Sequence, residues 1–193
     1  MRRAIGEQPA DEIPVVHIHE RAAGSEDSSA GFAGFYRREQ PRIERALVMA
    51  LGDVEIGRDA TAEGFTRALL RWPRVESLQN PPGWVYRTGL NWARSRWRRR
   101  RREVSPEEYL RAEPAAPGDE ATRVVDDVLV GEMMAVLSVD QRAVLIARYY
   151  LGWSEEEIAD ALDVAPGTVK SRAARARAEL AARFDQVPPE EET

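Results

Sequence analysis

The chain has 193 residues, of which 43% are hydrophobic and 32% are charged, and its formal net charge is −5. It has no cysteine, which excludes disulfides, thiolate zinc sites and cysteine nucleophiles, and its two histidines, His17 and His19, lie in a polar stretch with no further ligand suggested elsewhere. No stretch approaches the roughly 20 apolar residues of a membrane helix. We therefore expect a cytoplasmic protein with no membrane insertion, no metal and no cofactor.

The first 83 residues predict a tail followed by two helices. Residues 1–30 mix Gly, Ser, Pro and acids without helical periodicity, which predicts disorder. Apolar residues at helical spacing predict a helix over residues 32–51 that is kinked or restarted at Pro41. A second helix is predicted over residues 59–72, with Pro73 as its stop.

Residues 84–103 predict an amphipathic helix that follows a proline- and glycine-containing break at residues 80–83. Its apolar side carries Val85, Tyr86, Gly89, Leu90, Trp92, Ala93 and Trp97. Its other side carries Trp84, Arg87, Thr88, Asn91, Arg94, Ser95 and Arg98. Trp92 and Trp97 are expected to pack in the core, whereas core packing and ligand contact both stay open for Trp84. The five arginines from Arg98 to Arg102 repel one another unless something negative lies opposite.

The charge pattern then inverts. Residues 103–123 are acidic and contain three prolines, which predicts a linker between two domains. Helical periodicity returns in four segments, residues 124–137, 140–151, 155–162 and 168–184. Residues 185–193 form an acidic tail.

The sharpest local pattern lies in residues 152–180. Ser154 precedes three glutamates, so we expect it to act as an N-cap, and Glu157 completes a capping box. A turn at residues 163–165 leads to Pro166, whose fixed backbone suits the first turn of the next helix. A short helix, a tight turn and a second helix are the arrangement that places a recognition helix in the major groove of DNA.

The phase of that second helix separates an apolar side from a basic one. The apolar side carries Val169, Ala173, Ala176, Leu180 and Phe184. The opposite side carries Ser171, Ala174, Arg175 and Ala178, flanked by Lys170, Arg172, Arg177 and Arg183. Small residues among basic ones allow a close approach to a duplex. A solvated helix of an ordinary bundle is the structural alternative.

Taken together, the helical segments before and after the predicted linker resemble the extracytoplasmic-function branch of the sigma-70 family, of the sigma-E-like actinobacterial type. The resemblance implies an all-α protein with two small helical domains joined by a flexible acidic linker. Region 2 would span residues 31–102 and region 4, with its helix-turn-helix, residues 124–184. The implied function is that of an alternative sigma factor, which directs RNA polymerase to specific promoters and is not an enzyme.

The resemblance also assigns three sets of site residues. The segment at residues 57–65 is similar to the family's polymerase-binding helix, keeping Asp59, Glu63 and Phe65 but departing from it at Ala60 and Thr61. For melting the −10 element it implies Trp84, Arg87, Asn91, Arg94 and Arg98. For the −35 element it implies Thr168, Lys170, Ser171, Arg172 and Arg175, of which Lys170, Ser171 and Arg175 would read bases and Arg172 would contact phosphate. Asp163 stands where the family often has glycine.

The implied partners are the beta-prime clamp and beta flap of core RNA polymerase, promoter DNA and the anti-sigma proteins that family members commonly have. Two other classes compete with this interpretation. A response-regulator output domain has a similar helix-turn-helix, but residues 1–125 lack the alternating strands of a receiver. A nucleic-acid enzyme needs clustered acids, whereas the acids here lie in the linker, the tail and the starts of helices.

Overall fold

The computed structural model describes residues 22–103 and 134–184, here called the first half and the second half, with side chains at residues 30–100 and 134–183. The predicted linker between the halves, most of the helix predicted at 124–137 and the acidic tail lie outside these residues. The described part is all helical, as expected, and has no strand. Its seven helices are α1 (Ala22–Leu51), α2 (Val54–Leu69), α3 (Trp72–Val75), α4 (Pro81–Glu103), α5 (Val139–Tyr149), α6 (Glu155–Leu162) and α7 (Pro166–Phe184).

Helix α1 is longer than the sequence predicts. It begins at Ala22, so residues 22–30 are helical and do not belong to the predicted tail, whose residues 1–21 are not described. Pro41 lies inside the helix without ending it. The buried residues Ile43, Leu47 and Ala50 follow at helical spacing, and they keep this part of the helix on the core.

Helix α2 begins earlier and also ends earlier in the chain than the predicted helix at residues 59–72. The Asp53 side chain accepts a hydrogen bond from the Ile56 backbone N–H at 2.8 Å, and this N-cap starts the helix five residues earlier than expected. Pro73 does not terminate α2, because it lies in the first turn of the short helix α3, where proline is tolerated. A Cβ on Gly57 would lie 2.5 Å from Cγ2 of Val48, so only glycine allows this close packing of α2 on α1.

Helix α4 includes the segment that the sequence predicts as a break. Pro81 and Pro82 form its first turn, where the missing N–H groups have no helical partner. The side chain of Asn80 accepts a hydrogen bond from the Gly83 backbone N–H at 2.8 Å and caps the start of the helix.

The helix-turn-helix agrees closely with its prediction. Helix α6 occupies the predicted residues, and the side chains and backbones of Ser154 and Glu157 form the expected capping box. Asp163 takes the left-handed conformation, with φ 57° and ψ 51°, that ends α6. A second capping box, at Ser138 and Gln141 before α5, was not anticipated from the sequence.

The two halves pack on one another around a continuous hydrophobic core. Tyr86 of α4 is fully buried, its ring lies edge-on to Trp153 with centroids 5.8 Å apart, and its hydroxyl donates to the Ala143 carbonyl at 3.3 Å. Burial raises the pKa of the Tyr86 hydroxyl far above its usual range, so this group stays neutral.

Two arginines cap carbonyl groups across the same boundary. The guanidinium of Arg142 donates to the Ala50 carbonyl at 2.9 Å and to the Leu51 carbonyl at 3.4 Å, both at the C-terminal end of α1. In the reverse direction, Arg42 of α1 donates to the Leu151 carbonyl. Burial lowers the pKa of Arg142. A cation at the C-terminal end of a helix also stabilises its dipole, so Arg142 ties the second half to α1.

Among the described helices, none is long and apolar enough to cross a membrane.

Candidate nucleic-acid interface

The predicted −35 residues lie together on one side of α7. Val169, Ala173 and Ala176 are buried, which turns Lys170, Ser171, Ala174 and Arg175 to solvent. Thr168 and Arg172 are half-buried at the edge of this surface. The predicted phase of the helix is therefore confirmed. The exposed small and basic residues, here called the α7 surface, have the shape and charge that a DNA groove requires.

Polar contacts around the α7 surface fix several of these side chains. The Ser171 hydroxyl donates to the Thr168 carbonyl at 3.0 Å. Lys170 lies 3.6 Å from Glu155, a carboxylate whose pKa is lowered chiefly by a hydrogen bond from Arg148 at 2.9 Å. Arg175 is exposed and has no ion pair among the described residues.

Replacement of Ser154 by alanine is expected to lower the free energy of unfolding by about 1 kcal/mol, because the N-cap of α6 loses its side-chain acceptor. The backbone N–H of Ser154 holds the pKa of Glu157 below its usual value. The stability from this carboxylate is therefore present above about pH 4.3, the ordinary glutamate pKa, and lost as the pH falls through its lower folded pKa. Denaturant unfolding at several pH values measures both effects. Ser77→Ala, at an exposed serine outside the helix-turn-helix, is the control and should change stability less.

The predicted −10 residues follow one side of α4, here called the α4 surface. Trp84 and Arg87 are half-buried, and Asn91 and Arg98 are exposed. The Asn91 side-chain oxygen accepts a hydrogen bond from Arg94 at 3.2 Å, and Arg98 donates to the Ser95 hydroxyl at 3.1 Å. Trp84, Trp92 and Trp97 all pack partly against the core. The core packing expected of Trp92 and Trp97 is therefore only partial.

Three ion pairs engage residues of these two surfaces, and two of them, Arg87–Asp163 and Arg94–Asp140, cross between the halves. Arg87 of α4 pairs with Asp163 of the helix-turn-helix at 3.4 Å. Asp140 of α5 receives Arg94 of α4 on one oxygen and Arg172 of α7, at 2.7 Å, on the other. A single carboxylate therefore links a predicted −10 residue to a predicted −35 residue.

A cleft of about 500 Å³ opens between α3, the start of α4 and α6. Arg71, Arg74 and Trp84 line it from the first half, and Glu157 and Asp160 line it from the second. The Asn80 amide nitrogen lies in its wall, buried and without a hydrogen-bond partner among the described residues. Arg71, Arg74 and both carboxylates are not predicted as site residues by the sequence, because only the packing of the two halves brings them together.

The predicted polymerase-binding residues are an exposed carboxylate, a half-buried carboxylate and one core ring. Asp59 lies 3.9 Å from Arg96, and Glu63 pairs with Arg67 at 2.6 Å on the same helix. Phe65 is only 2% exposed, and its ring packs 5.0 Å from Tyr36. Phe65 therefore lies in the core beneath this side of α2.

Three comparisons with known proteins agree with this arrangement. The family model "Sigma-70, region 4" matches residues 127–180. The chain is 33% identical over 150 residues to the RNA polymerase sigma-E factor of Streptomyces coelicolor, covering 77% of this chain and 83% of that protein. It is 33% identical over 144 residues to the ECF RNA polymerase sigma factor EcfG of Rhodopseudomonas palustris, covering 74% and 78% respectively. Its fold resembles that of the sigma factor RpoE, solved in complex with the anti-sigma factor NepR from Bartonella quintana, with a TM-score of 0.64, 22% identity and coverage of 82% of this chain and 99% of that one.

Proposed function

The chain belongs to the extracytoplasmic-function RNA polymerase sigma factors, which bind RNA polymerase and promoter DNA, and on that premise we propose how its two halves divide this work. Residues 31–102 act as region 2, which binds the beta-prime clamp and melts the −10 element. Residues 124–184 act as region 4, which binds the beta flap and reads the −35 element. The chain acts by binding and not by catalysis, in the cytoplasm where RNA polymerase works.

The observation that carries this proposal is the pair of surfaces on α4 and α7. Each has a buried apolar side that fixes its orientation in the core and an outer side with arginines or lysine. The α7 surface has small residues between its cations, which suits a duplex groove. The α4 surface combines an aromatic ring, an amide and cations, which suit stacking, base hydrogen bonds and phosphates of an unpaired strand. An anti-sigma protein is a further partner that we propose, because the sigma factor of similar fold was solved with one.

Run-off transcription with core RNA polymerase on a library of genomic fragments tests the function as a whole. We expect the chain to start transcription from a small set of fragments that share two short elements with a fixed spacing. Core polymerase alone is the control. A chain that leaves polymerase as inactive as core alone on every fragment would contradict the proposal.

Replacement of Arg175 by alanine is expected to weaken binding to the −35 element by about 1–3 kcal/mol and to relax base preference at one position, because a bidentate base contact is lost. Arg172→Ala should instead weaken binding to all sequences and reduce the salt dependence by about one charge. Competition binding with the selected −35 duplex and a scrambled duplex measures both. Equal losses on the two duplexes for Arg175→Ala would reject its base-reading role.

A further inference from the structure

We propose that the cleft between α3, the start of α4 and α6 binds a guanine nucleotide, whose phosphates meet arginines of the first half and whose base meets Trp84 and a carboxylate of α6. The cleft has a volume of about 500 Å³, and small-molecule sites commonly measure roughly 300–1,000 Å³. A small-molecule site goes beyond the proposed binding of polymerase and promoter DNA.

The first half supplies unpaired positive charge to the cleft. Arg71 and Arg74 are exposed, and neither side chain has an ion pair or a hydrogen bond with another described residue. Arg87 adds a third guanidinium, but it already pairs with Asp163 at 3.4 Å. A guanidinium presents its N–H donors in a planar fork that matches the oxygens of a phosphate. We therefore assign the phosphates of the nucleotide to Arg71 and Arg74.

The second half supplies a free carboxylate. The side chain of Asp160 is exposed and has no hydrogen bond or ion pair with another described residue, so both of its oxygens can accept. Glu157 has one oxygen in use, because it accepts a hydrogen bond from the Ser154 backbone N–H at 2.8 Å. Guanine carries two adjacent donors, its ring N–H and its amino group, which one carboxylate accepts together. Adenine has no such pair of donors, so Asp160 favours guanine.

The charges that line the cleft do not neutralise one another. Neither Arg71 nor Arg74 forms an ion pair with Glu157 or Asp160, although all four residues line the same space. The carboxylates repel a simple anion, and the arginines repel a simple cation. A ligand that is negative at one end and donates hydrogen bonds at the other complements both. A nucleotide has this form, because its phosphates are charged and the edge of its base carries N–H groups.

An aromatic ring and apolar side chains complete the lining. Trp84 packs partly against the core and also lines the cleft, so part of its ring is held in place and part can contact a ligand. Val75 and Leu78 add apolar surface to the same lining. The flat face of a base stacks on aromatic rings. The cleft therefore offers a separate kind of contact to the base and to the phosphates.

Isothermal titration calorimetry of the full-length protein, with neither polymerase nor DNA present, tests the site. The buffer contains EDTA, so that no metal ion bridges phosphates and carboxylates. GDP should bind at least about tenfold more tightly than ADP, which cannot donate two hydrogen bonds to Asp160. Pyrophosphate should bind more weakly than either, because it has no base to stack on Trp84. Equal affinity for GDP and either of the other compounds, or a Kd for GDP above about 1 mM, would overturn the proposal.

Removal of the Asp160 carboxylate tests the assignment of the base. Asp160→Asn should reduce the preference for GDP over ADP to about twofold or less, because an amide has only one acceptor oxygen. Glu156→Gln is the matched control, since Glu156 is exposed on the same helix but does not line the cleft, and the change in net charge is the same. This control should keep the full preference. An unchanged preference in Asp160→Asn, or an equal loss in the two variants, would refute the base contact.

Removal of the arginines tests the assignment of the phosphates. The double variant Arg71→Gln, Arg74→Gln should bind GDP, ADP and pyrophosphate about tenfold more weakly, with a smaller dependence on salt. Arg177→Gln with Arg183→Gln is the control, because both residues are exposed on α7 outside the cleft and the net charge changes equally. Circular dichroism checks that each variant is folded. Equal losses in the two double variants would assign the effect to net charge and overturn the site, whereas run-off transcription by the original chain would still support the proposed function.

Discussion

A chain with Trp84→Ala and Asn91→Ala is expected to bind core RNA polymerase and form closed promoter complexes, but to form about tenfold to hundredfold fewer open complexes. Stacking of a base on an aromatic ring contributes about 1–3 kcal/mol, and this contact is made only after the strands separate. Asn91 is exposed beside Arg94, where its amide can meet a base edge. Permanganate reactivity of unpaired thymines measures the open complexes.

The arginines at the end of α4 provide the contrast. Arg98, Arg99 and Arg100 are exposed, and their replacement by glutamine removes cations without removing a base contact. Binding should then fall at both the closed and the open stage, and the loss should shrink as salt rises. Because Trp84 packs partly on the core, the thermal stability of each variant is measured in parallel. Normal promoter opening by the Trp84/Asn91 variant would remove the melting role of α4.

Replacement of Tyr86 by alanine is expected to lower the free energy of unfolding by about 3–5 kcal/mol, the largest stability loss that we predict. The ring is completely buried and contacts Trp153 of the other half, so the cavity would open in the core that the halves share. Circular dichroism and tryptophan fluorescence, to which all five tryptophans contribute, should report the same unfolding transition, because both halves lose packing together.

Tyr86→Phe is the matched control. It keeps the ring and loses only the hydrogen bond to the Ala143 carbonyl, which is long at 3.3 Å, so it should cost about 1 kcal/mol or less. Two separate transitions in the original chain, with only the first shifted by Tyr86→Ala, would show that the halves do not share a cooperative core.

Local patterns were sufficient where a single helix and its caps determine the structure. The capping box at Ser154 and Glu157 and the buried side of α7 both involve residues within a few positions of each other. Capping and helical phase act over that range. For this reason the helix-turn-helix and the exposed position of Arg175 were predictable without tertiary information.

Helix ends were less predictable where proline or an acidic cap competes with the apolar pattern. Asp53 starts α2 through its side chain, while Pro73 and Pro81 lie in first turns instead of ending helices. A proline permits two opposite outcomes, a stop before it or a start at it. Asn80 caps the start of α4, whereas α3 starts at Trp72 without a side-chain cap.

The contacts that cross between the halves were beyond local reasoning. Arg94 and Asp140 are 46 residues apart in sequence, and no periodic pattern relates them. Both are charged residues in polar surroundings of their own helices, so each was interpreted as solvated or DNA-facing. Their pairing follows from the way Tyr86 and Trp153 bring α4 and the second half together.

The capping of α1 by Arg142 has a consequence for how the protein is made on the ribosome. The Ala50 carbonyl precedes its arginine by 92 residues, which take about 5–20 s to synthesise at ordinary translation rates. During that interval the end of α1 has only water to satisfy its carbonyls, and the apolar side of α4 emerges before the residues that cover it. A nascent chain therefore passes through a stage in which Tyr86 is exposed. Slow codons or a stalled ribosome between α4 and α5 would prolong this stage, and with it the risk of aggregation.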